Sequence, residues 1–428
     1  LCKNSRTVRF VFLQKKLNQR SFTEFGSLIP KFRKILYIIY MIKRELTEFL
    51  KGMAQKYPVV ILIGPRQSGK TTLACQTFSE YRYVNLEQTG MRLLAKEDPR
   101  GFLVSNPPPL IIDEVQRCPE LLSEIQVVSD SLNLNGAFIL TGSQQLPLMQ
   151  GVSQTLAGRT SILTLLPLSL RELAFAGIEQ KKDESLYFGG MPRIFDSHIE
   201  PNIYYRDYFR TYVERDVRDL IRIRDFDRFD IFVKLLAGRV GQILNTSSLA
   251  ADVGVSNKTI AEWISVLEIS NVVFKLRPWF GNVGKRLTKS PKIYFTDTGL
   301  AARLLGIESP EQVARDPLHG NLFENLVILE VLKSAWNQNM TTEFFYFRTE
   351  SGIELDLLFK SEGCWNAVEI KSSSTVNMDY FKNLTKVASI PEFENMKKIL
   401  VYSGDNIESF KGCRCVNYKD AGKIVGNL

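Results

Sequence analysis

The sequence predicts an α/β protein: a three-layer domain with a parallel sheet, then a helical middle, then a second domain of mixed strands and helices. Three observations predict this. Short apolar strands alternate with helical segments from about Met41 to Leu173, the pattern of a parallel sheet covered on both faces. The stretch VVILIGPRQSGKTTLACQTF passes from an apolar strand through a glycine-rich turn into a helix. Near the other end, GIELDLLFK and AVEIK alternate with the period of two that marks half-buried strands.

At 428 residues the chain is too long for one ordinary core. The formal charge of +9 is concentrated in residues 1–40, where nine Lys or Arg face only Glu24. That segment is +8, which leaves +1 for the rest, so the overall basicity says little about the folded part. Residues 1–40 read as a non-native or disordered basic extension, with the natural start at Met41, where MIKRELTEFLKGM begins an amphipathic helix. Their apolar run ILYIIYMI is too short to span a bilayer, so no membrane partner is expected. The six cysteines lack metal-ligand spacing and suit reduced thiols in a cytoplasmic protein. With only His198 and His319, histidine-based nucleophilic catalysis and a His-rich zinc site are disfavoured. Hydrolytic chemistry would rest on carboxylates, lysine and a hard cation.

The turn GPRQSGKTT fits GxxxxGK[ST] with the strand before and the helix after that this motif needs. Gly64 and Gly69 permit the tight backbone. Pro65, Arg66, Gln67, Ser68, Lys70, Thr71 and Thr72 complete a loop whose amides would face phosphates at a helix N-terminus. Lys70 would reach the β- and γ-phosphates of ATP, and Thr71 would place its hydroxyl on Mg2+. The strand LIID carries Asp113 to its end, where it can hold the same cation, and Glu114 beside it can orient or deprotonate the attacking water. The strand in AFILTGS ends in Thr141 and Ser143; Ser143 is either a γ-phosphate sensor or a turn residue. Arg159 precedes a further strand, Ile162 to Leu166, and has two readings: an arginine finger entering a neighbouring copy of the chain, or an ion pair within its own subunit.

On GPRQSGKTTL, DEVQRCPELL, LTGSQQ, LAGR and LPLSLREL the chain resembles the AAA-superfamily P-loop ATPases of bacteria and archaea that carry a C-terminal domain of unknown function. GGMPRIF resembles the opening of that family's lid. The resemblance implies an AAA-type ATPase core over 41–175 and a helical lid with a connecting helix over 176–235. It also implies ATP and Mg2+ as ligands, and a homo-oligomer if Arg159 acts in trans.

The connecting helix, from Tyr204 to Phe229, mixes arginines and acids at helical spacing and reads as a solvated face without chemistry. Over 236–300, TSSLAADVGVSNKTIAEWISVLE predicts two crossed helices about a turn at Gly254, burying Leu249, Val253, Val255, Ile260 and Trp263. The next stretch holds Lys275, Arg277, Lys285, Arg286, Lys289 and Lys292 without an acid, and reads as a basic wing. A winged helix of this kind contacts DNA or docks protein, and the second helix offers only Lys258 for base reading.

In 301–428, period two places Glu354 with Asp356 on one strand face and Glu369 with Lys371 on another, after a helix bearing Glu324. The order helix-Glu, strand-Asp, turn, strand-Glu-x-Lys resembles the restriction-endonuclease-like fold. In that reading Asp356 and Glu369 hold Mg2+, Glu324 assists, and Lys371 positions water. A nuclease, or a binding descendant that no longer cuts, both fit the motif. The sequence therefore describes an ATPase that controls a DNA-acting module, with a protein-docking scaffold as the alternative.

Overall fold

A computed structural model of the chain describes residues 42–142, 155–213, 225–279, 290–349 and 351–426. Helix α1 (Leu46–Ala54) leads into strand β1 (Val59–Ile63), and helix α2 (Lys70–Thr77) follows the glycine-rich turn. Strands β2 (Arg82–Asn85), β3 (Leu110–Asp113), β4 (Phe138–Gly142) and β5 (Thr160–Thr164) complete a five-stranded sheet. Its order is β2-β3-β4-β1-β5 and every pairing is parallel. β5 begins two residues before the predicted Ile162.

Alternation along these strands divides them between two cores, as a three-layer domain requires. Val59, Ile61, Ile112 and Leu140 pack with Leu121, Leu122 and Ile125 of helix α3 (Leu121–Leu132) on one face. Val60, Leu62, Ile111 and Ile139 pack with Leu46 and Leu50 of α1 and Leu73 of α2 on the other.

Beyond the sheet come helices α4 (Leu170–Phe175), α5 (Pro192–Ser197) and α6 (Pro201–Tyr208), the last continuing as a π-helix over Phe209–Val213. The connecting helix departs from its predicted solvated character. Tyr204, Tyr205 and Tyr208 are buried, and the fully buried Tyr205 donates to Asp297 at 2.6 Å. The spacing of arginines and acids hid this aromatic inner face; the pair Glu214 and Arg218 lies outside the described residues.

Helices α7 (Thr246–Val253) and α8 (Asn257–Ile269) meet across Gly254, whose φ of +74° is the left-handed turn predicted there. Leu249, Val253, Ile260 and Trp263 are buried as expected. Strands β6 (Val273–Pro278) and β7 (Lys292–Phe295) then pair antiparallel. They are followed by α9 (Thr298–Leu304) and the long α10 (His319–Asn337). The remaining strands are β8 (Phe344–Arg348), β9 (Glu354–Ser361), β10 (Cys364–Lys371), β11 (Lys397–Tyr402), β12 (Ile407–Phe410) and β13 (Cys413–Asn417).

β6 pairs parallel with β8 at Arg277–Phe345, so one eight-stranded sheet runs β12-β13-β11-β10-β9-β8-β6-β7. The boundary expected at residue 300 therefore falls inside a single hydrogen-bonded layer. Lys43–Leu428 is one compact unit, and among the described residues no helix is long and apolar enough to cross a membrane.

Candidate functional site: a phosphate loop and a distant carboxylate cluster

β1 delivers the chain to Gly64, whose φ is +147°; a Cβ there would lie 2.1 Å from the Leu165 carbonyl oxygen. Only glycine fits this approach of loop to sheet. Gln67 (φ +59°) and Gly69 (φ +95°) continue the tight turn, and α2 starts at Lys70. The buried Lys70 ammonium arches back to donate to the Gly64 and Pro65 carbonyl oxygens at 3.0 and 2.7 Å. Ser68 is fully buried, and its hydroxyl has no hydrogen-bond partner among the described residues. A cradle of amides with an ammonium and an unsatisfied buried hydroxyl suits a polyphosphate.

Three hydroxyls from three elements hold Asp113. Thr71 donates to its carboxylate at 3.0 Å, Tyr83 at 2.8 Å, and Thr141 also donates. Burial and then the Asp113 charge push the Tyr83 hydroxyl above its usual range, so it remains a donor. Thr71 and Asp113 thus stand side by side where the turn meets the end of β3, an arrangement that fits Mg2+ shared with a phosphate. Glu114 sits in the left-handed region at φ +58°, unusual for a side chain of this size, and accepts from the Gln116 amide.

A cavity of about 390 Å3 opens here, lined by Lys70, Thr71, Thr72, Asp113 and Glu114 and, from α5, by Arg193 and Asp196. Arg66, the other cation of the turn, lies 4.0 Å from Glu87. Arg193 and Asp196 were missed in the sequence, though GGMPRIF marked their helix. So were Tyr83, on the short and partly exposed β2, and Tyr204, which donates to Gln67 of the loop at 2.8 Å.

Ser143 lies outside the described residues. Arg159 sits at the start of β5, the sheet edge opposite the loop, and its guanidinium grips Asp130 at 2.5 and 3.0 Å. That is the within-subunit ion pair of the two sequence readings, half-exposed on the surface.

The C-terminal acids form a second cluster. β9 brings Glu354 and Asp356, β10 brings Glu369 and Lys371, and α10 brings Glu324. Asp356 accepts from the Ile370 amide at 2.7 Å, and Lys371 pairs with Glu369 at 2.7 Å. Burial first, then the charge of Asp356, push Glu324 up to about 7 and Glu369 up to about 8.

One sequence expectation is corrected here. Lys292, counted in the basic wing, is buried and faces Glu354 at 2.7 Å, Glu324 at 3.0 Å and Asp356 at 4.0 Å. Burial alone would lower its pKa, but these three acids outweigh burial and raise it. Lys275 is likewise paired with Glu268, while Lys285, Arg286 and Lys289 lie outside the described residues. Glu324, Asp356 and Glu369, the ligands expected from the sequence, come from α10, β9 and β10; among the described residues no group of three Asp, Glu, His or Cys side chains is arranged to hold a metal ion. Two lysine ammoniums, Lys292 and Lys371, stand against the carboxylates of the cluster.

Comparison with known proteins gives three consecutive matches along the chain. An AAA domain model matches residues 56–174, and two domains of unknown function, DUF8612 and DUF4143, match 179–311 and 319–420. Uncharacterised proteins of Mycobacterium tuberculosis and Mycobacterium bovis are each 31% identical over 376 residues, covering 85% of this chain and 80% of theirs. A protein of Methanocaldococcus jannaschii is 23% identical over 346 residues, covering 67% of this chain and 70% of its own. Among solved structures, a Walker-type ATPase of Pyrococcus abyssi aligns over 62% of this chain and 96% of its own, at 13% identity and a TM-score of 0.41. DnaA of Aquifex aeolicus, bound to AMPPCP, aligns over 52% and 85%, at 16% identity and a TM-score of 0.28.

Proposed function

The chain belongs to the AAA-domain family of P-loop ATPases, and we propose that it binds ATP with Mg2+, hydrolyses it, and uses the cycle to govern its C-terminal half. The observation that carries this reading is the contact of Thr71 with Asp113 beside the arched Lys70 ammonium. When bound, Mg2+ supplies charge neutralisation to the β- and γ-phosphates, and Thr71 and Asp113 are the residues that would hold it. The loop amides from Arg66 to Thr71 orient the phosphates, and Lys70 exchanges its two carbonyl partners for phosphate oxygens. Glu114 takes a proton from the attacking water, and Ser143 senses the γ-phosphate. Arg193, facing the cavity from the lid, meets the same charge within the subunit. Arg159 either stays paired with Asp130 or, released from it, enters a neighbouring copy's site, in which case the active form is a homo-oligomer. The free thiols among the described residues accord with a cytoplasmic setting.

The test is nucleotide binding and turnover by wild type, Lys70→Ala and Glu114→Gln. Lys70→Ala is expected to lose ATP binding. Glu114→Gln is expected to keep binding but turn over slower by roughly 100-fold or more. Failure of the wild type to bind ATP, or unchanged turnover in Glu114→Gln, refutes the assignment.

For the C-terminal half, a DNA-acting, nuclease-like module is the first reading, resting on the sequence resemblance and on Lys258 and Arg277 on the exposed surface. A docking scaffold with an inactive nuclease-like domain is the second, and the burial of Lys292 among the acids favours it. Binding to duplex DNA that weakens as salt rises separates the two.

A further inference from the structure

We propose that Lys292 is a resident cation that closes the C-terminal carboxylate cluster to divalent metal in this conformation. The inference deepens the reading of that domain as nuclease-like but inactive, and rests on it. The Lys292 side chain is only 4% exposed, and it projects from β7 between acids of two other elements, Glu324 on α10 and Glu354 and Asp356 on β9. A divalent cation bridging these carboxylates would have to stand where this ammonium stands. Glu369 faces the same cluster. One of its oxygens is held by Lys371, and the other is buried without a hydrogen-bond partner among the described residues.

The placement of Lys292 is built rather than incidental. β7 is the last strand of the eight-stranded sheet, and residues 324 and 325 of α10 bond to it. The Asn325 amide accepts from the Phe295 N–H and donates to the Phe295 carbonyl, both at 2.8 Å, as an added strand would. Tyr294, two residues from Lys292 and on the same strand face, donates to Glu324. Backbone, hydroxyl and ammonium of one strand therefore converge on residues 324 and 325 of one helix. Removal of the ammonium leaves three acids facing one another, a cluster that attracts a cation in its place.

The experiment titrates the nucleotide-free full chain with Mn2+, following the free-ion signal by electron paramagnetic resonance, for wild type, Lys292→Met, Asp356→Asn and the double variant. Lys292→Met is expected to bind one more Mn2+ per chain than wild type, and the double variant to lose it; Asp356→Asn alone is expected to match wild type. The proposal is overturned if wild type already binds a Mn2+ that Asp356→Asn removes, or if folded Lys292→Met gains none. Should circular dichroism show Lys292→Met unfolded, lysine labelling of the wild type by acetic anhydride decides. Lys292 is expected to label at least tenfold more slowly than exposed Lys258, with or without Mn2+, and equal rates overturn the proposal. Binding of a fluorescent ATP analogue is read on the same samples. Its loss would count against the nucleotide site alone, because the Mn2+ difference between variants does not depend on it.

Discussion

Arg44 is the side chain whose loss the structure predicts most sharply. It precedes α1 and is 7% exposed, and its guanidinium donates to Glu172 at 2.9 Å, to the Ser68 carbonyl at 2.7 Å and to the Leu166 carbonyl at 2.6 Å. Glu172 is fully buried and caps α4 through a reciprocal exchange with Ser169. Arg44→Met keeps the packing volume but leaves a buried carboxylate unpaired, a change that costs about 3–5 kcal/mol. The lower part of that range is expected, because Glu172 retains the amides of Glu45 and Ser169 at 2.8 and 2.9 Å. Glu172→Gln in the Arg44→Met background should recover part of that loss, since it neutralises the carboxylate left unpaired. A double-mutant cycle should then show a coupling of about 2 kcal/mol or more. Urea unfolding of the four proteins, followed by circular dichroism, measures it. A loss below about 1 kcal/mol for Arg44→Met, or a coupling under about 0.5 kcal/mol, refutes the reasoning.

Gly64→Ala forces a Cβ against the Leu165 carbonyl at a positive φ and is expected to destabilise the sheet domain by on the order of 3 kcal/mol, read as a lower urea midpoint. Tyr204→Phe removes the bond to Gln67 and should weaken ATP binding by about 3- to 10-fold in a fluorescence titration while changing stability by no more than about 1 kcal/mol. Burial and Asp356 raise Glu369 from the ordinary value of 4.5 up to about 8, so the folded chain holds a proton that the unfolded chain releases. The stability this contributes is fully present below the ordinary value and is lost as pH rises through about 8. Glu369→Gln should show a smaller fall in urea midpoint than wild type between about pH 5 and about pH 9.

What the sequence disclosed and what it hid divide by range. The strand, turn and helix around Lys70 are local: period, glycine placement and the acid ending β3 lie within short windows, and Val59–Ile63 is the strand that was read. The helix pair about Gly254 was legible for the same reason. Partnerships across the sheet were not. Lys292 looked like one of six cations in a wing, because nothing within its own window contains an acid. Its partners are 32 to 64 residues away: Glu324 reaches it from α10, and Glu354 and Asp356 through the pairing of β6 with β8. A signal was present all the same, since KIYF sets the lysine in an otherwise apolar strand, and all four residues are buried. An exposed basic wing would alternate cations with apolar residues instead. The tyrosines of YYRDYF were likewise masked by neighbouring charges, although they supply the contact to Gln67 and the fully buried bond to Asp297.

The same long-range contacts give the ATPase half a physical route to the C-terminal half. Arg44 ties the Ser68 carbonyl of the phosphate loop to Glu172, and Glu172 fixes the first turn of α4. The next amide of that turn, Leu170, donates to Glu330 of α10 at 2.8 Å, and Lys333 of α10 returns a bond to the Leu168 carbonyl at 2.8 Å. α10 is 19 residues long and, toward its other end, carries Glu324 against Lys292. A helix transmits displacement along its axis because its packed side chains and hydrogen bonds move together. If the proposed nucleotide cycle governs the C-terminal half, a shift of the loop carbonyl would pass through two buried ion pairs and one helix to the strand that carries Lys292. Each link is a discrete contact, so Glu330→Gln, which weakens the pair with Lys333 without touching either site, should leave ATP affinity within about 2-fold of wild type. It should also remove any nucleotide-dependent change in the labelling of Lys292. If ATP alters that labelling equally in Glu330→Gln and wild type, α10 is not the route.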